Sequence, residues 1–155
     1  MKMKIGTSAW STFGVLFVFI TSSIMPVNSE ELTDIGDLQW RARVLLMQGS
    51  DQAKSSLIEK LQADKNELSE RHIYWFIFQA DSIDSNYPGA ISETFRNSIK
   101  AEYFGNTGDG DVIILIGKDG EAKLFTSELD LQKLYQTIDA MPMRQQEMGK
   151  SNSIN

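Results

Sequence analysis

The sequence contains no cysteine among its 155 residues. Thiolates are the nucleophiles of thiol enzymes and strong soft metal ligands. Their absence therefore excludes a peroxidatic thiol, CxxC exchange, a cysteine protease, a thiolate metal site and a cysteine-linked lipid anchor. The fold must also stand without disulfides, which is feasible because a chain of this length buries about two-thirds of its unfolded surface.

Histidine and proline are also scarce, with one and three copies respectively. The single histidine, His72, has no recognisable serine and carboxylate partners for a triad, so we interpret it as a surface or half-buried residue that opens a strand. Neither a calcium loop nor a phosphate loop is present with its full spacing. The sequence therefore predicts no cofactor, and any enzymatic activity would be of an unrecognised, non-thiol type.

Positive charge is the next deficit, because 15 basic residues face 21 acidic ones, for a net charge of −6. Lys2 and Lys4 are the only charged residues before Glu30, so the chain from Glu30 onward carries 13 basic and 21 acidic residues and a net charge of −8. Such a surface repels phosphate backbones and anionic lipids. We therefore expect neither a nucleic acid nor a peripheral membrane partner.

Residues 1–29 have the pattern of a secretory signal, with an early basic region, an apolar centre at 14–20, and Val27 and Ser29 at the minus-three and minus-one positions. We predict cleavage near Ser29 and an exported protein, periplasmic or extracellular, with no stable membrane insertion afterwards. The alternative is an uncleaved anchor. Only the middle of the uncharged stretch is strongly apolar, however, and a spanning helix needs about 20 predominantly apolar residues.

After the signal, the composition predicts a lead-in over 30–37, one domain over 38–148 and a disordered tail over 149–155. The run 73–78 is apolar at every position, as is the run 112–116, a pattern typical of strands covered by helices on both faces. A further strand is predicted over 38–47. Apolar residues at helical spacing predict helices over 52–69, 91–99 and 131–138, and turn-rich segments predict loops over 81–89 and 105–110.

The Asp-Gly turn at 117–120 returns the chain into a last strand and requires antiparallel pairing. The predicted order is β-α-β-α-β-β-α, with a mixed four-stranded sheet and helices on both faces. That order is thioredoxin-like. The short hairpin disfavours the alternative, a small doubly wound sheet.

Three segments, LQWRARVLL (38–46), IILIGKDGEAKL (113–124) and IDAMPMRQQEM (138–148), resemble the domain-of-unknown-function 4174 family. The resemblance covers most of the chain after the signal. It implies a thioredoxin- or peroxiredoxin-like fold, a relation to a domain in extracellular sushi-repeat proteins, and small exported bacterial proteins with no established activity. Where thiol-bearing relatives of this fold carry a reactive cysteine, this chain has Gly49-Ser50-Asp51-Gln52, and Gly108-Asp109-Gly110 replaces the cis-proline of thioredoxins. The resemblance thus implies a fold without redox activity.

The topology brings the motifs WRAR (40–43), GKDG (117–120) and MPMR (141–144) to one end of the sheet, opposite the usual thiol site. We expect a small ion-pair cluster there, near Trp40, formed by Arg41 or Arg43 with Lys118, Asp139 and Arg144. This cluster is either a structural lock for the last helix or a docking surface for an unknown protein partner in the envelope. The candidate binding residues are Trp40, Arg41, Arg43, Lys118, Asp119, Asp139 and Arg144.

The methionines Met141, Met143 and Met148 support a different hypothesis, because thioethers suit Cu(I) and an exported copper-handling protein. Methionine also fills irregular cores. Pro142 disfavours the helical conformation at Met141, so the last helix should end near residue 140 or 141 and leave Arg144 close to its carbonyl end. The leading hypothesis is an exported, non-catalytic interaction module.

Overall fold

The computed structural model describes residues 31–105 and 110–152. The predicted signal, its cleavage site near Ser29 and residues 106–109 and 153–155 lie outside this range. Within it, no helix has the length and the apolar character needed to cross a bilayer.

In the described residues, one mixed sheet organises the domain, with the strands β1 (Arg43–Gln48), β2 (Ile73–Phe78), β3 (Ile83–Ser85), β4 (Val112–Ile116) and β5 (Ala122–Thr126). Their order across the sheet is β3-β2-β1-β4-β5. Strand β1 is parallel to β2 and antiparallel to β4, which is antiparallel to β5. This is the thioredoxin-like arrangement, so the predicted fold class is confirmed.

The fifth strand, β3, corrects the predicted four-stranded sheet and the predicted loop over 81–89. It pairs antiparallel with β2 at the edge of the sheet. Side chains help to hold it there: Ser85 Oγ donates to the Trp75 carbonyl at 2.7 Å, and Asn86 Oδ1 accepts from the Trp75 N–H at 2.8 Å. A three-residue edge strand held by polar side chains carries no apolar alternation for a sequence reading to detect.

Across residues 31–105 and 110–152, five α-helices, a 3₁₀-helix and a π-helical segment accompany the sheet. The predicted strand over 38–47 was wrong in its first half, because β1 begins only at Arg43. Asp34 instead caps a 3₁₀-helix, accepting a hydrogen bond from the Gly36 N–H at 2.6 Å. The segments are the 3₁₀-helix (Ile35–Leu38), α1 (Asp51–Ala63), α2 (Lys65–Glu70), α3 (Glu93–Ile99), the π-helical segment (Lys100–Phe104), α4 (Leu131–Asp139) and α5 (Pro142–Asn152).

The chain around Pro142 explains both a correct prediction and a missed helix. Helix α4 ends at Asp139, with Ala140 as its C-cap, as the proline predicts. Pro142 is then the first residue of α5, a position proline favours because its missing N–H is unneeded there. Helix α5 runs to Asn152, so residues 149–152 of the predicted disordered tail (149–155) are helical, and 153–155 lie outside the described residues. A helix that has already formed extends readily into a polar tail, because each added residue brings one further backbone hydrogen bond.

Both faces of the sheet are covered, which explains why the runs of β2 and β4 are apolar on both faces. Side chains alternate along β1: Leu45 and Met47 face one hydrophobic cluster, and Val44 and Leu46 face the other. The first cluster includes residues of α1, α2 and α4, and the second includes residues of α3. This framework brings the start of β1 and of β2, the β4–β5 turn and the end of α4 to one end of the sheet.

Candidate functional site

Four charged side chains are buried in the part of the chain that the structure describes, and all four are cations although the whole chain has a net charge of −6. They converge from β1, the α2–β2 link, the β4–β5 turn and α5. Four carboxylates surround them. We call the cluster of Arg43, Arg71, Lys118 and Arg144 with Glu67, Glu70, Asp139 and Glu147 the cationic pole.

Glu147 on α5 is the carboxylate with the most cations around it. Lys118 Nζ lies 2.7 Å from Glu147 Oε1, Arg43 Nη1 lies 3.2 Å from Oε2, and Arg144 Nη1 lies 3.8 Å from Oε2. Burial alone would raise the pKa of Glu147. Hydrogen bonds from Lys118 and Arg43 outweigh burial and hold that pKa below its ordinary value. The carboxylate is therefore charged at neutral pH and ties α5 to β1 and to the β4–β5 turn.

Asp139, at the end of α4, bridges Arg71 and Arg144. Arg71 Nη2 donates to its Oδ2 at 2.8 Å, and Arg144 Nε donates to its Oδ1 at 3.2 Å. Burial would raise the pKa of Asp139, but these arginines lower it. The Arg71 guanidinium also lies 4.6 Å from the centroid of the Tyr135 ring, a cation–π contact. Arg71 and Arg144 thereby join α4 to α2.

The guanidinium groups also bind backbone carbonyls at the end of α2. Arg144 Nη1 donates to the Glu70 carbonyl at 3.1 Å, and Arg43 Nη1 donates to the Arg71 carbonyl at 2.8 Å. These acceptors are carbonyls of a helix end, where cations are stabilised. The backbone carbonyl that Arg144 binds thus belongs to α2, whereas the sequence placed Arg144 at the carbonyl end of α4.

His72 lies beside the cationic pole, with its Nδ1 at 3.0 Å from Lys118 Nζ. An ammonium group can only donate, so Nδ1 accepts and the ring proton resides on Nε2. Burial, together with the positive charge of Lys118, lowers the pKa of His72. The neutral ring therefore presents a donor at Nε2, which is the wrong role for a general base. His72 also lines a broad cavity of about 1070 Å³ with Arg41, Asn86 and Tyr87.

Two non-glycine residues of the described chain have positive φ, Trp40 at 64° and His72 at 52°, and both lie at this end of the sheet. Such a conformation costs a bulky residue about 1–3 kcal/mol and persists only where surrounding contacts impose it. The Trp40 N–H donates to the Lys118 carbonyl at 2.7 Å, and the Arg43 N–H donates to the His72 carbonyl at 2.8 Å. Trp40 nevertheless remains 62% exposed.

The structure brings together Arg43 and three of the other sequence-predicted residues, namely Lys118, Asp139 and Arg144. Arg41 stands apart from the cationic pole, and its Nη1 donates to the Asp37 carbonyl at the long distance of 3.5 Å. It precedes β1, whereas Arg43 is the first residue of that strand and is buried. Asp119 also stands apart, since its carboxylate pairs with Lys123 at 2.6 Å.

Sequence reasoning missed half of the cationic pole: Glu67, Glu70, Arg71 and Glu147. A signal for Glu147 was present, because it closes the segment MPMRQQE three residues after Arg144, a spacing that juxtaposes side chains on a helix. A signal for Arg71 was weaker, being one charge just ahead of the apolar run of β2.

The methionines of the copper hypothesis do not form one group. Met141 and Met143 line a groove of about 350 Å³ next to the cationic pole, but Met148 is not among its lining residues. Met141 also packs against the hydrophobic core. Within the described residues, no three histidine, aspartate or glutamate side chains form a group that could hold a metal ion.

A model of the domain of unknown function DUF4174 matches residues 34–147. The chain belongs to the DUF4174 family. The matched span contains every residue of the cationic pole and ends on Glu147. The pole is therefore part of this DUF4174 domain.

Among solved structures, this DUF4174 domain is similar to a crystal structure of Plasmodium vivax 2-Cys peroxiredoxin in its reduced form. The TM-score is 0.55 at 16% sequence identity, over 72% of this chain and 84% of that chain. At this identity the likeness shows the fold alone. No curated protein matches.

Proposed function

We propose that this DUF4174 domain is an exported, non-catalytic module that binds a protein partner in the cell envelope through the cationic pole and Trp40. One observation carries the proposal. Every charged residue buried in the described part of the chain is a cation of this cluster, and the cluster lies beside an exposed, strained tryptophan.

The burial of the two charge types is unequal. The four cationic side chains are 1–11% exposed, whereas the carboxylate side chains range from 22% for Glu147 to 60% for Glu70. The outer part of the cluster is therefore formed by its carboxylates, with the cations held beneath them.

The energetics argue that the cluster has a role besides holding the fold. Apolar residues of similar volume often replace buried ion pairs with no loss of stability. A lock for α5 therefore does not need four desolvated cations. Tryptophan and arginine are the residue types that often contribute much of the affinity at binding surfaces, and both occur at this end of the sheet.

Trp40 fits the role of an anchor. Its backbone is held by the hydrogen bond to the Lys118 carbonyl, and the residue is 62% exposed and open to a partner. Unfavourable backbone conformations concentrate at functional sites, because the fold retains them only under constraint.

The proposed export and the proposed lack of catalysis are argued mainly from the sequence. The pattern of residues 1–29 is that of a secretory signal, and the implied relation to an extracellular sushi-repeat domain agrees with export. The absence of cysteine removes thiol chemistry, and the tautomer of His72 opposes base catalysis. The alternative to a non-catalytic module is an enzyme of an unrecognised, non-thiol type.

A copper-handling function is a second candidate, because Met141 and Met143 line the same groove. Two thioethers are a weak site, since soft Cu(I) sites generally combine more ligands or stronger ones. The positively charged Arg43 and Lys118 in the same lining oppose a cation further.

The test is affinity capture from an envelope extract of the source cells, followed by identification of the retained proteins. Three baits are compared: the unmodified protein, Trp40→Ser and Phe125→Ser. Phe125 is a matched control, because it is 64% exposed and lies on β5 outside the cationic pole. We expect one protein to be retained by the unmodified bait and the Phe125 variant but lost with the Trp40 variant. Equal retention by all three folded baits would contradict the proposal.

A further inference from the structure

We propose that α5 is a releasable strap over the cationic pole, attached by charged side chains, and that its release uncovers Arg43 and Lys118. Release means that α5 separates from the domain while α4 and the sheet stay folded. The release itself does not depend on the proposed function. Its use as a step that opens the pole to a protein partner rests on that function and adds regulation to the same surface.

Helix α5 lacks the buried apolar face that attaches α4. Among the described side chains of α5, only Arg144 is buried. Met143 and Met148 are half-buried, and neither is among the described residues that form or contact the two hydrophobic clusters. Helix α4, by contrast, buries Leu134 and Ile138. A surface helix is normally attached by an apolar stripe that faces the core, so α5 is attached in a different way.

Two charged side chains make the attachment of α5. Glu147 lies 2.7 Å from Lys118 Nζ and 3.2 Å from Arg43 Nη1. Arg144 Nη2 lies 2.6 Å from Glu70 Oε1. Added salt weakens the attraction between charges, but it does not weaken apolar packing. The attachment of α5 therefore responds to ionic strength, whereas that of α4 does not.

The groups that α5 leaves behind keep other partners in the domain. Arg43 Nη1 donates to the Arg71 carbonyl at 2.8 Å, and Lys118 Nζ donates to His72 Nδ1 at 3.0 Å. Asp139 keeps its ion pair with Arg71 at 2.8 Å. The costly part of breaking a buried ion pair is the charge that is left without a partner. Because none of these groups is left in that state, release costs less than unfolding of the domain.

The junction between α4 and α5 sets the boundary of the release. Met141 packs against the core, and its N–H donates to the Ile138 carbonyl of α4 at 2.9 Å. Pro142 then begins α5, and proline has no N–H to continue the hydrogen bonding of α4. Helix α5 can therefore separate after Met141 without disturbing α4.

Release changes which charges reach the surface. With α5 in place, Glu147 covers Arg43 and Lys118, whose side chains are 1% and 8% exposed. A partner does not reach these two cations in that state. The Lys118 carbonyl also holds the exposed Trp40 through its N–H. Removal of Glu147 thus uncovers positive charge next to the residue proposed as the anchor.

Amide hydrogen exchange followed by NMR measures the release, because exchange under native conditions reports the population of locally opened states. We expect the amides of residues 146–150 to exchange about threefold faster or more in 1 M than in 0.05 M NaCl, relative to the amides of α4. Acetylation of Lys118 by an N-hydroxysuccinimide ester, measured by mass spectrometry relative to the exposed Lys60, should accelerate over the same range.

Two neighbouring positions give a matched pair of variants with the same introduced residue. Glu147→Gln removes the carboxylate, so we expect exchange in α5 to become about tenfold faster in 0.05 M NaCl and less dependent on salt. Met148→Gln removes an apolar side chain and no charge, so exchange should stay within about twofold of the unmodified protein. Glutamate, methionine and glutamine have similar helix propensities, so neither change weakens the helix itself.

Three results would overturn the inference. They are exchange in α5 that ignores both salt and Glu147→Gln, an equal effect of Met148→Gln, and α5 amides that open only together with those of α4. Any of these results with capture still dependent on Trp40 would refute the strap and leave the binding module intact. A salt-dependent α5 with capture independent of Trp40 would support the strap and refute the binding module.

Discussion

Replacing Arg144 with methionine removes one buried cation of the pole while keeping a long, flexible side chain. The Arg144 guanidinium donates to Glu70 Oε1 at 2.6 Å, to the Glu70 carbonyl at 3.1 Å and to Asp139 Oδ1 at 3.2 Å. Its side chain is 5% exposed, so water does not replace these contacts at the guanidinium position. Methionine fills much of the same volume, which keeps any cavity small.

The expected cost follows from the exposure of the partners. Removing one member of a fully buried ion pair costs about 3–5 kcal/mol, because the other charge is left desolvated. Here the side chains of Glu70 and Asp139 are 60% and 32% exposed, and Asp139 retains Arg71. Water therefore recovers part of the loss. We expect Arg144→Met to lower the free energy of unfolding by about 2–3 kcal/mol, near the value for a lost charged hydrogen bond plus an orphaned carbonyl.

Urea denaturation measures this change, and Arg96→Met is the matched control. Arg96 forms an ion pair with Glu93 on α3 at 3.3 Å, and the Glu93 side chain is 73% exposed, so that pair should contribute less than about 1 kcal/mol. The melting temperature of the Arg144 variant should fall by about 3–5 °C per kcal/mol lost. If Arg144→Met is no more costly than Arg96→Met, the assignment of Arg144 to a tightly held cluster is wrong.

Four further predictions concern other residues. In Glu147→Gln, the free energy of unfolding measured with urea should depend less on pH between about pH 5 and 3. The fold lowers the pKa of Glu147, so this carboxylate stabilises the fold above its ordinary pKa and loses that contribution as the pH falls through its folded-state pKa. In His72→Gln, the free energy of unfolding should change less between about pH 7 and 5. The fold lowers the pKa of His72, so the neutral ring stabilises the fold above pH 6.5 and this contribution is lost on acidification. An unchanged dependence on pH would contradict this. Trp40→Gly should raise the free energy of unfolding by about 0.5–1 kcal/mol, because glycine adopts positive φ freely; a loss of stability would contradict backbone strain. Cu(I) should leave the melting temperature unchanged, whereas a rise that Met143→Leu abolishes would support the copper hypothesis.

The parts of the fold that could be predicted are those with a strong local pattern. The runs 73–78 and 112–116 were placed correctly, because strands buried on both faces are apolar at every position. The Asp-Gly turn required an antiparallel hairpin, and that hairpin selected the topology. Strand β3 escaped prediction, because its pairing depends on hydrogen bonds from Ser85 and Asn86 that form only beside β2.

The candidate site was partly predictable because strand direction alone decides which chain segments share an end of the sheet. The choice between Arg41 and Arg43 was not, because it depends on the residue at which β1 begins and hence on the 3₁₀-helix before it. Glu67 and Glu70 were missed because the contacts of α2 with α4 and α5 arise from helix packing that no local pattern records. In addition, a sequence alone does not show whether an arginine or lysine is buried or exposed to solvent.

The most direct test of the account is photo-crosslinking in the source cells, with a photoreactive amino acid placed at position 40 or, as control, at position 125. Both positions are similarly exposed, at 62% and 64%. If Trp40 and the cationic pole form a docking surface, position 40 should yield one discrete cross-linked protein that position 125 does not. Identical, diffuse cross-linking from both positions would contradict the account and leave the cationic pole as a structural lock between α5 and the sheet.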